Sequence, residues 1–336
     1  VKANAYGHGM QPVAMAAMEG GATWLAVHRP AEGVGLRKAG FPSPILIMGY
    51  TLPSDSEEIV KWELTPTVNS RPQALALSAA AIARNQSRAS AVAGKAAPQP
   101  ALLPVHVKVD TGMGRYGLLP DEVLDYVLFL RELPGLALEG LYTHFSTADL
   151  VDKSYTLQQF RTFTGVVDQL ERAGISVPVK HTANSATTLD LPEMALDVVR
   201  CGIALYGLHP SNQMEPAVPL IPALSLKSRV ARVRTLPAGA SISYGRTYTT
   251  DRPTRVALIP VGYGDGYHRI LSNRGAVLVG GQRAPILGRV CMDQFVVDVS
   301  GIPEVRLHDE VVLIGRQGKD EITAEEVADW AETINY

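Results

Sequence analysis

Over roughly its first two thirds the chain repeats one pattern, a short apolar run rich in β-branched residues followed by a longer amphipathic stretch. This alternation limits the folds open to it more than any other feature. Neighbouring parallel strands need a long crossover, and an amphipathic helix provides one while covering the sheet face. Strands are expected at Val1–Lys2, Thr23–Val27, Ile45–Gly49, Thr65–Asn69, Val105–Asp110, Leu138–His144, Val177–His181 and Leu196–Arg200. Helices are expected at Gln11–Gly20, Ala31–Ala39, Asp55–Trp62, Arg71–Ala83, Asp121–Arg131 and Ser154–Ala173, with Pro120-Asp121 opening one and Gly174 closing another. Eight strands in this rhythm predict an α/β fold, a closed (β/α)8 barrel whose last crossover, near Asn184–Leu191, is short. The segment Gln86–Ala101, mostly Ala, Ser, Pro and Gly, breaks the rhythm and reads as an exposed loop or insertion without function.

After about Pro210 the pattern changes to alternating strands and tight turns, at Ala223–Thr235, Arg255–Pro260, Ala276–Val279, Ala284–Val290, Gln294–Val299 and Glu310–Ile314, with one helix at Ala324–Thr333. A barrel over 1–210 followed by a mainly β domain over 211–336 is therefore expected. The charge balance, 31 basic against 33 acidic residues for a net of −2 without a basic tract, argues against nucleic acid or an anionic membrane and favours a small-molecule partner. Two cysteines, Cys201 and Cys291, build no disulfide framework, and no apolar run reaches the ~18 residues of a spanning helix. A reducing cytoplasm is the expected location. Val1 stands directly before the first motif, so the natural N-terminus is expected to lie upstream.

The polar residues fall in a telling place. Lys2, Lys108, His144, His181 and Arg200 all lie at or just past expected strand C-termini, the barrel face that carries chemistry. Each alone has an ordinary reading: a surface lysine, a satisfied buried histidine, a structural arginine. In Val1-Lys2-Ala3-Asn4-Ala5-Tyr6-Gly7-His8-Gly9, however, small residues let a flat ring approach the backbone beside a lysine, and the Tyr6 hydroxyl is placed to hold a phosphate. That combination suits a pyridoxal phosphate (PLP) Schiff base. No nucleotide-type glycine loop is evident, so phosphate donors must come from elsewhere. His181-Thr182-Ala183-Asn184-Ser185 and Arg200-Cys201-Gly202-Ile203 offer a hydroxyl and backbone amides.

Lys108-Val109-Asp110-Thr111-Gly112-Met113-Gly114-Arg115, Ile242-Ser243-Tyr244-Gly245-Arg246-Thr247-Tyr248, Pro260-Val261-Gly262-Tyr263-Gly264-Asp265-Gly266-Tyr267 and Gly288-Arg289-Val290-Cys291-Met292-Asp293-Gln294 complete the set. In order from Val1 to Tyr336, these strings resemble those of the alanine racemases. The resemblance implies that Lys2 carries PLP and that Tyr6, Ser185, the Gly202 and Ile203 amides and Tyr336 hold its phosphate. It implies a carbamylated Lys108 orienting Arg115, which would bond the cofactor phenolate oxygen and the substrate carboxylate. Arg200 would face the pyridine nitrogen. An arginine donates without giving up its proton, so the ring stays neutral, which favours simple inversion over transamination.

Inversion needs an acid and a base on opposite faces. By the resemblance, Lys2 serves one face and Tyr244, from the partner subunit of a homodimer with shared active sites, serves the other, while His144 bridges Tyr244 to Arg200. Tyr263, with Arg269 nearby, would line the entrance and narrow the pocket with Tyr336 around a methyl group. Met292 would supply an amide to the substrate carboxylate, and Asp293 would lie near Arg115. The implied activity is PLP-dependent interconversion of L- and D-alanine for peptidoglycan synthesis in the bacterial cytoplasm, with no metal. Two alternatives stand beside it: a racemase of broader range acting on serine or basic amino acids, and a non-catalytic PLP-carrier barrel. Tyr263, Arg269, Arg289 and Ile334 match the alanine-type entrance, and carriers lack a β domain. Relative to the family, both termini look truncated, since strand 1 lacks its start and the usual tail after Tyr336 is missing.

Overall fold

In the computed structural model, residues 1–90, 99–214 and 218–336 are described. They fall into two compact units, Val1–Leu220 and Ile221–Tyr336.

In the first unit β1 (Leu25–Val27), β2 (Ile45–Ile47) and β3 (Thr65–Pro66) pair in parallel, as do β4 (Leu103–Lys108), β5 (Leu136–Tyr142) and β6 (Val179–His181). A parallel bridge between Thr67 and His106 joins the two sets, and the Val1 nitrogen donates to the Ala26 carbonyl at 2.8 Å on the outer side of β1. Every residue of β2 is buried, as a strand covered on both faces must be. The covering helices are α2 (Met10–Glu19), α3 (Pro30–Lys38), α4 (Ser56–Lys61), α5 (Arg71–Ser90), α6 (Val123–Arg131), α7 (Ser154–Arg172) and the short α8 (Ser185–Asp190). Leu36, Ile59, Leu77, Leu130 and Phe163 bring their apolar faces into one core with Ile45, Val105 and Leu141. Each such buried side chain contributes ~1.5–3 kcal/mol. The parallel strands and outer helices are the expected α/β barrel architecture.

Three segments differ from expectation. Val1–Lys2 does not form a strand, because Lys2 opens a left-handed turn, α1 (Lys2–Tyr6). Leu196–Arg200 is not a strand either: Leu196 takes φ 58°, which breaks extended backbone, and only an isolated antiparallel bridge to His181 remains. Of the expected loop Gln86–Ala101, residues up to Ser90 continue α5, consistent with their alanine and arginine content, while 91–98 lie outside the described residues. Ala101 is tied back to that helix through both amide atoms of Asn85, at 3.0 and 3.1 Å.

Register fixes what the strands present. Lys108 lies opposite Tyr142, and Tyr142 opposite His181, so these three close the C-terminal ends of β4, β5 and β6 in one row.

The second unit contains an antiparallel sheet of order β16-β15-β12-β13-β14-β11-β8, with β7 added against β15. Its strands are β7 (Leu226–Arg229), β8 (Arg232–Leu236), β11 (Thr254–Ile259), β12 (Ala276–Val279), β13 (Gln282–Leu287), β14 (Phe295–Asp298), β15 (Glu310–Gln317) and β16 (Asp320–Ile322), while β9 (Ser241–Ile242) and β10 (Tyr248–Thr249) form a separate pair. Gly280 and Gly281, at φ 58° and 75°, make the two-residue turn between β12 and β13 that a right-twisted hairpin requires. Helix α9 (Ala324–Trp330) starts at a Thr323 hydroxyl that accepts from the Glu326 amide at 3.1 Å.

Candidate active site

The site of the first unit is built on the row that ends β4–β6. Tyr142 stacks on His181 with ring centroids 4.7 Å apart and an interplanar angle of 14°. Arg200 lies over the Tyr142 ring at 5.2 Å and bonds His181 Nδ1 at 2.8 Å, the Thr143 carbonyl at 2.7 Å and the Thr182 carbonyl at 2.9 Å. Burial lowers its guanidinium to about 10, so it remains charged at neutral pH. Lys108 points into the same region, 5.6 Å from the Tyr116 ring. Its backbone amide donates to Asn69 Oδ1 at 3.1 Å, and the other amide atom of that side chain, Nδ2, is buried with no acceptor among the described residues. Burial first, then repulsion from Arg115 and Arg200, lowers the Lys108 amine to about 8. His144 is held at about 3 by burial and by Arg200, Lys108, Arg115 and Lys2, so its imidazole is neutral.

Lys2 is presented by four consecutive left-handed residues, Ala3, Asn4, Ala5 and Tyr6, all with φ between 52° and 54°. That conformation costs ~1–2 kcal/mol per residue outside glycine and needs external support. The Glu32 carboxylate supplies it: Oε1 accepts from the Ala3 amide at 2.6 Å, and Oε2 accepts from the His28 and Arg29 amides at 2.8 and 3.0 Å. Asn4 Oδ1 takes the Met10 amide at 2.9 Å, closing the far end. Burial and the Arg115 charge lower the Lys2 amine below the usual lysine range, and Glu32 partly opposes them.

Arg115 sits on a loop folded around Asp110, whose carboxylate accepts the Gly112, Gly114 and Arg115 amides at 3.0 Å each. Beside Lys2, the Tyr6 ring comes against Gly202, where a Cβ would stand 2.6 Å from the tyrosine oxygen. Ser185 Oγ accepts from the Gly202 amide at 2.8 Å and the Ala204 amide at 3.3 Å, leaving its own O–H to donate. Ile203 opens the short 3-10 turn that follows. The structure thus gathers Lys2, Tyr6, Lys108, Arg115, His144, Ser185, Arg200, Gly202 and Ile203 at one end of the first unit's strands, an arrangement rich in cations and hydrogen-bond donors.

In the second unit Tyr244 is 73 % exposed and follows Ser243, at φ 65°, in a strained turn. Ser243 Oγ donates to the Arg289 carbonyl at 2.6 Å, so the turn rests on the Gly288–Cys291 segment. The other edge of that segment holds the Tyr263 turn: the Tyr263 amide donates to the Cys291 carbonyl at 3.0 Å and the Gly264 amide to the Met292 carbonyl at 2.8 Å. Tyr244, Tyr263, Met292 and Asp293 are exposed side chains on adjoining segments. Arg269 opens a later 3-10 turn, and Ile334 and Tyr336 are exposed beyond α9.

Sequence reasoning missed Glu32, Asn69, His106, Glu139 and Tyr142. His106 and Tyr142 had a usable signal, since they alternate with Lys108 and His144 on the expected strands Val105–Asp110 and Leu138–His144 and therefore share their faces.

Comparison with known proteins agrees over the whole chain. Residues 1–210 match the family model for the N-terminal domain of alanine racemase, and residues 223–336 match that for its C-terminal domain. Alanine racemases of Halothermothrix orenii and Desulforamulus reducens are each 48% identical over 100% of this chain, which spans 85% and 86% of their respective lengths. Among solved structures, alanine racemase of Streptomyces coelicolor superposes with a TM-score of 0.90 at 35% identity, covering 100% of this chain and 86% of that one. The Bacillus anthracis alanine racemase with bound L-Ala-P gives a TM-score of 0.87 at 39% identity, covering 100% and 83%. The chain therefore belongs to the alanine racemase family.

Proposed function

We propose that this chain is a PLP-dependent alanine racemase that interconverts L- and D-alanine, the D-enantiomer serving peptidoglycan synthesis in the cytoplasm. The observation that carries the reading is the Lys2 amine, lowered by burial and by Arg115 and held on a left-handed turn beside the Tyr6–Gly202–Ser185 cradle. The donor set fits PLP. Lys2 would hold it covalently, Tyr6, Ser185 and the Gly202 and Ile203 amides would take its phosphate with Tyr336, Arg115 would meet its phenolate oxygen, and Arg200 its ring nitrogen. When bound, the group supplies an electron sink for the bond electrons released at the substrate α-carbon.

The chain's own groups would move the protons. Tyr244 of the partner subunit, in a homodimer with shared sites, acts as a phenolate that takes the α-proton of L-alanine and becomes a phenol. Lys2 Nζ delivers a proton to the opposite face, and the roles reverse for D-alanine. Neutral His144 would accept from Arg200 at one ring nitrogen and donate its single N–H to the phenolic oxygen of Tyr244 of the partner subunit, without adding another charge. Arg200 donates N–H bonds while keeping its proton, which disfavours a protonated ring and with it transamination. Arg115 pairs with the alanine carboxylate, aided by the Met292 amide with Asp293 nearby, and Tyr263 narrows the space around the methyl group.

Carbamylation of Lys108 fits the same site. The reaction with CO2 needs a neutral amine, which burial favours at about 8, and Asn69, whose Oδ1 takes the Lys108 backbone amide and whose Nδ2 has no acceptor among the described residues, would donate to a carbamate oxygen. The anion would face Arg115 and Arg200 and remove the repulsion among three cations.

Chiral analysis after incubating the protein and PLP with L-alanine or L-serine, beside Lys2→Ala, tests the reading. D-alanine is expected to form faster than D-serine, and only with Lys2 present. Mixing Tyr244→Phe with Lys2→Ala should regain activity, because one hybrid site then holds both groups; failure to regain it overturns the shared site.

A further inference from the structure

One row below Lys108, Tyr142 and His181 lies a polar set that the proposed reaction does not use. His106, fully buried on β4, has Nδ1 2.9 Å from His181 Nε2 and Nε2 3.1 Å from Glu139 Oε2. Two local features make room for this. The residue opposite His106 is Gly140, where a Cβ would lie 2.3 Å from the imidazole ring. The pairing of β4 with β5 shifts between Val105, which faces Leu138, and His106, which faces Gly140, so Glu139 is the extra residue of a bulge. A bulge re-aims the side chain it carries, and here that side chain reaches His106.

The chemistry of the four groups fixes their direction. A guanidinium has no acceptor, so His181 Nδ1 must accept from Arg200. An imidazole accepting at Nδ1 carries its hydrogen on Nε2 and donates it to His106 Nδ1. His106 Nδ1 is therefore an acceptor too, its hydrogen sits on Nε2, and it donates to Glu139. The alternative, Nδ1–H on His106, would require His181 to accept at both nitrogens and to be an anion. The bonds therefore run one way, from Arg200 through His181 and His106 to Glu139. The remaining Arg200 bonds, to the Thr143 and Thr182 carbonyls, do not specify a tautomer.

We infer that His106 and Glu139 are positioning residues, which fix the His181 tautomer and through it the guanidinium plane that Arg200 turns towards the cofactor ring. Glu139 acts as a carboxylate counterpart to Arg200 at a distance, relayed by two neutral rings. In the opposite tautomer His181 would present Nδ1–H to an arginine N–H, and the guanidinium would have to swing away. The part of this inference that concerns the cofactor rests on the function proposed above; the tautomers do not.

The test is long-range 1H–15N spectroscopy of 15N-histidine-labelled enzyme, with and without PLP. His106 and His181 are both expected as Nε2–H forms. Glu139→Leu removes the final acceptor and should give His181 mixed tautomers, shift the absorption band of bound PLP and lower kcat about tenfold, ~1.4 kcal/mol, with KM for alanine little changed. Glu139→Gln keeps an oxygen acceptor and should restore most of kcat and the wild-type spectra. His106→Phe should act like Glu139→Leu; because His106 is fully buried, the partly exposed Glu139 gives the safer variant. Nδ1–H on His181 in the wild type, or unchanged tautomers and kcat in Glu139→Leu, overturns the inference. Wild-type protein with the expected tautomers but no D-alanine product would refute the proposed activity and leave the chain of bonds intact.

Discussion

The Tyr6 hydroxyl oxygen stands 2.6 Å from the point that a Cβ on Gly202 would occupy. The backbone at Gly202, φ −114° and ψ −94°, lies outside the left-handed region, and the space beside it is closed to a side chain. Gly202→Ala should therefore fold but push the tyrosine out of the phosphate cradle. Titration of the apo protein with PLP, followed by absorbance, should show the Kd rising about tenfold, a loss of ~1.4 kcal/mol. An unchanged Kd would mean the phosphate sits elsewhere.

Glu32→Gln tests the support of the left-handed turn. A carboxylate is acceptor-only, whereas a glutamine would turn an NH2 group against one set of the amides of Ala3, His28 and Arg29. Stability should fall by about 2 kcal/mol in urea unfolding. Glu32 also raises the Lys2 pKa, so its loss should move the pH midpoint for capture of PLP by the apo protein downward. A midpoint that moves upward, or a stability equal to wild type, would contradict this role.

What the sequence made legible was the periodic part. The alternation of apolar runs and amphipathic stretches located six parallel strands, because register and burial there follow side-chain period alone. It misplaced Lys2 on a strand because local propensity does not report a left-handed turn stabilised by Glu32, a residue 29 positions from Ala3, and Arg200 because it does not report the positive φ of Leu196. The candidate residues were visible as strings because those strings, in order along the chain, resemble the ones of the alanine racemases. Glu139 was not, because its aim depends on a one-residue bulge between two strands, and neither strand's own pattern encodes it.

In the second unit, the contact between the Tyr263 and Met292 segments depends on Gly262. A Cβ there would fall 2.2 Å from the Met292 carbonyl oxygen. Gly262→Ala should separate the two backbones and displace Tyr263, raising KM for alanine about tenfold while leaving kcat within about twofold. A variant that lost kcat and kept KM would place Tyr263 in the proton-transfer step instead of the entrance.

Lys108 gives the sharpest dependence on pH. Its amine is lowered from 10.5 to about 8, chiefly by burial and then by Arg115 and Arg200. Below about 8 the lysine is charged in both folded and unfolded chains, and the folded state bears the desolvation and repulsion. Between about 8 and 10.5 the unfolded chain holds a proton that the folded chain has lost, so folding stability rises with pH through this window. The rise has an upper bound of about 3 kcal/mol. Lys108→Met keeps the length and removes the charge. In CO2-free buffer it should be more stable than wild type near neutral pH by urea unfolding of the apo protein, and that advantage should shrink towards about pH 10. With bicarbonate the order should reverse, because a carbamate on Lys108 turns the repulsion by Arg115 and Arg200 into attraction that methionine lacks. A wild type that gains nothing from bicarbonate, with no carbamate carbon in its 13C spectrum, would refute carbamylation and leave the free amine as the species beside Arg200.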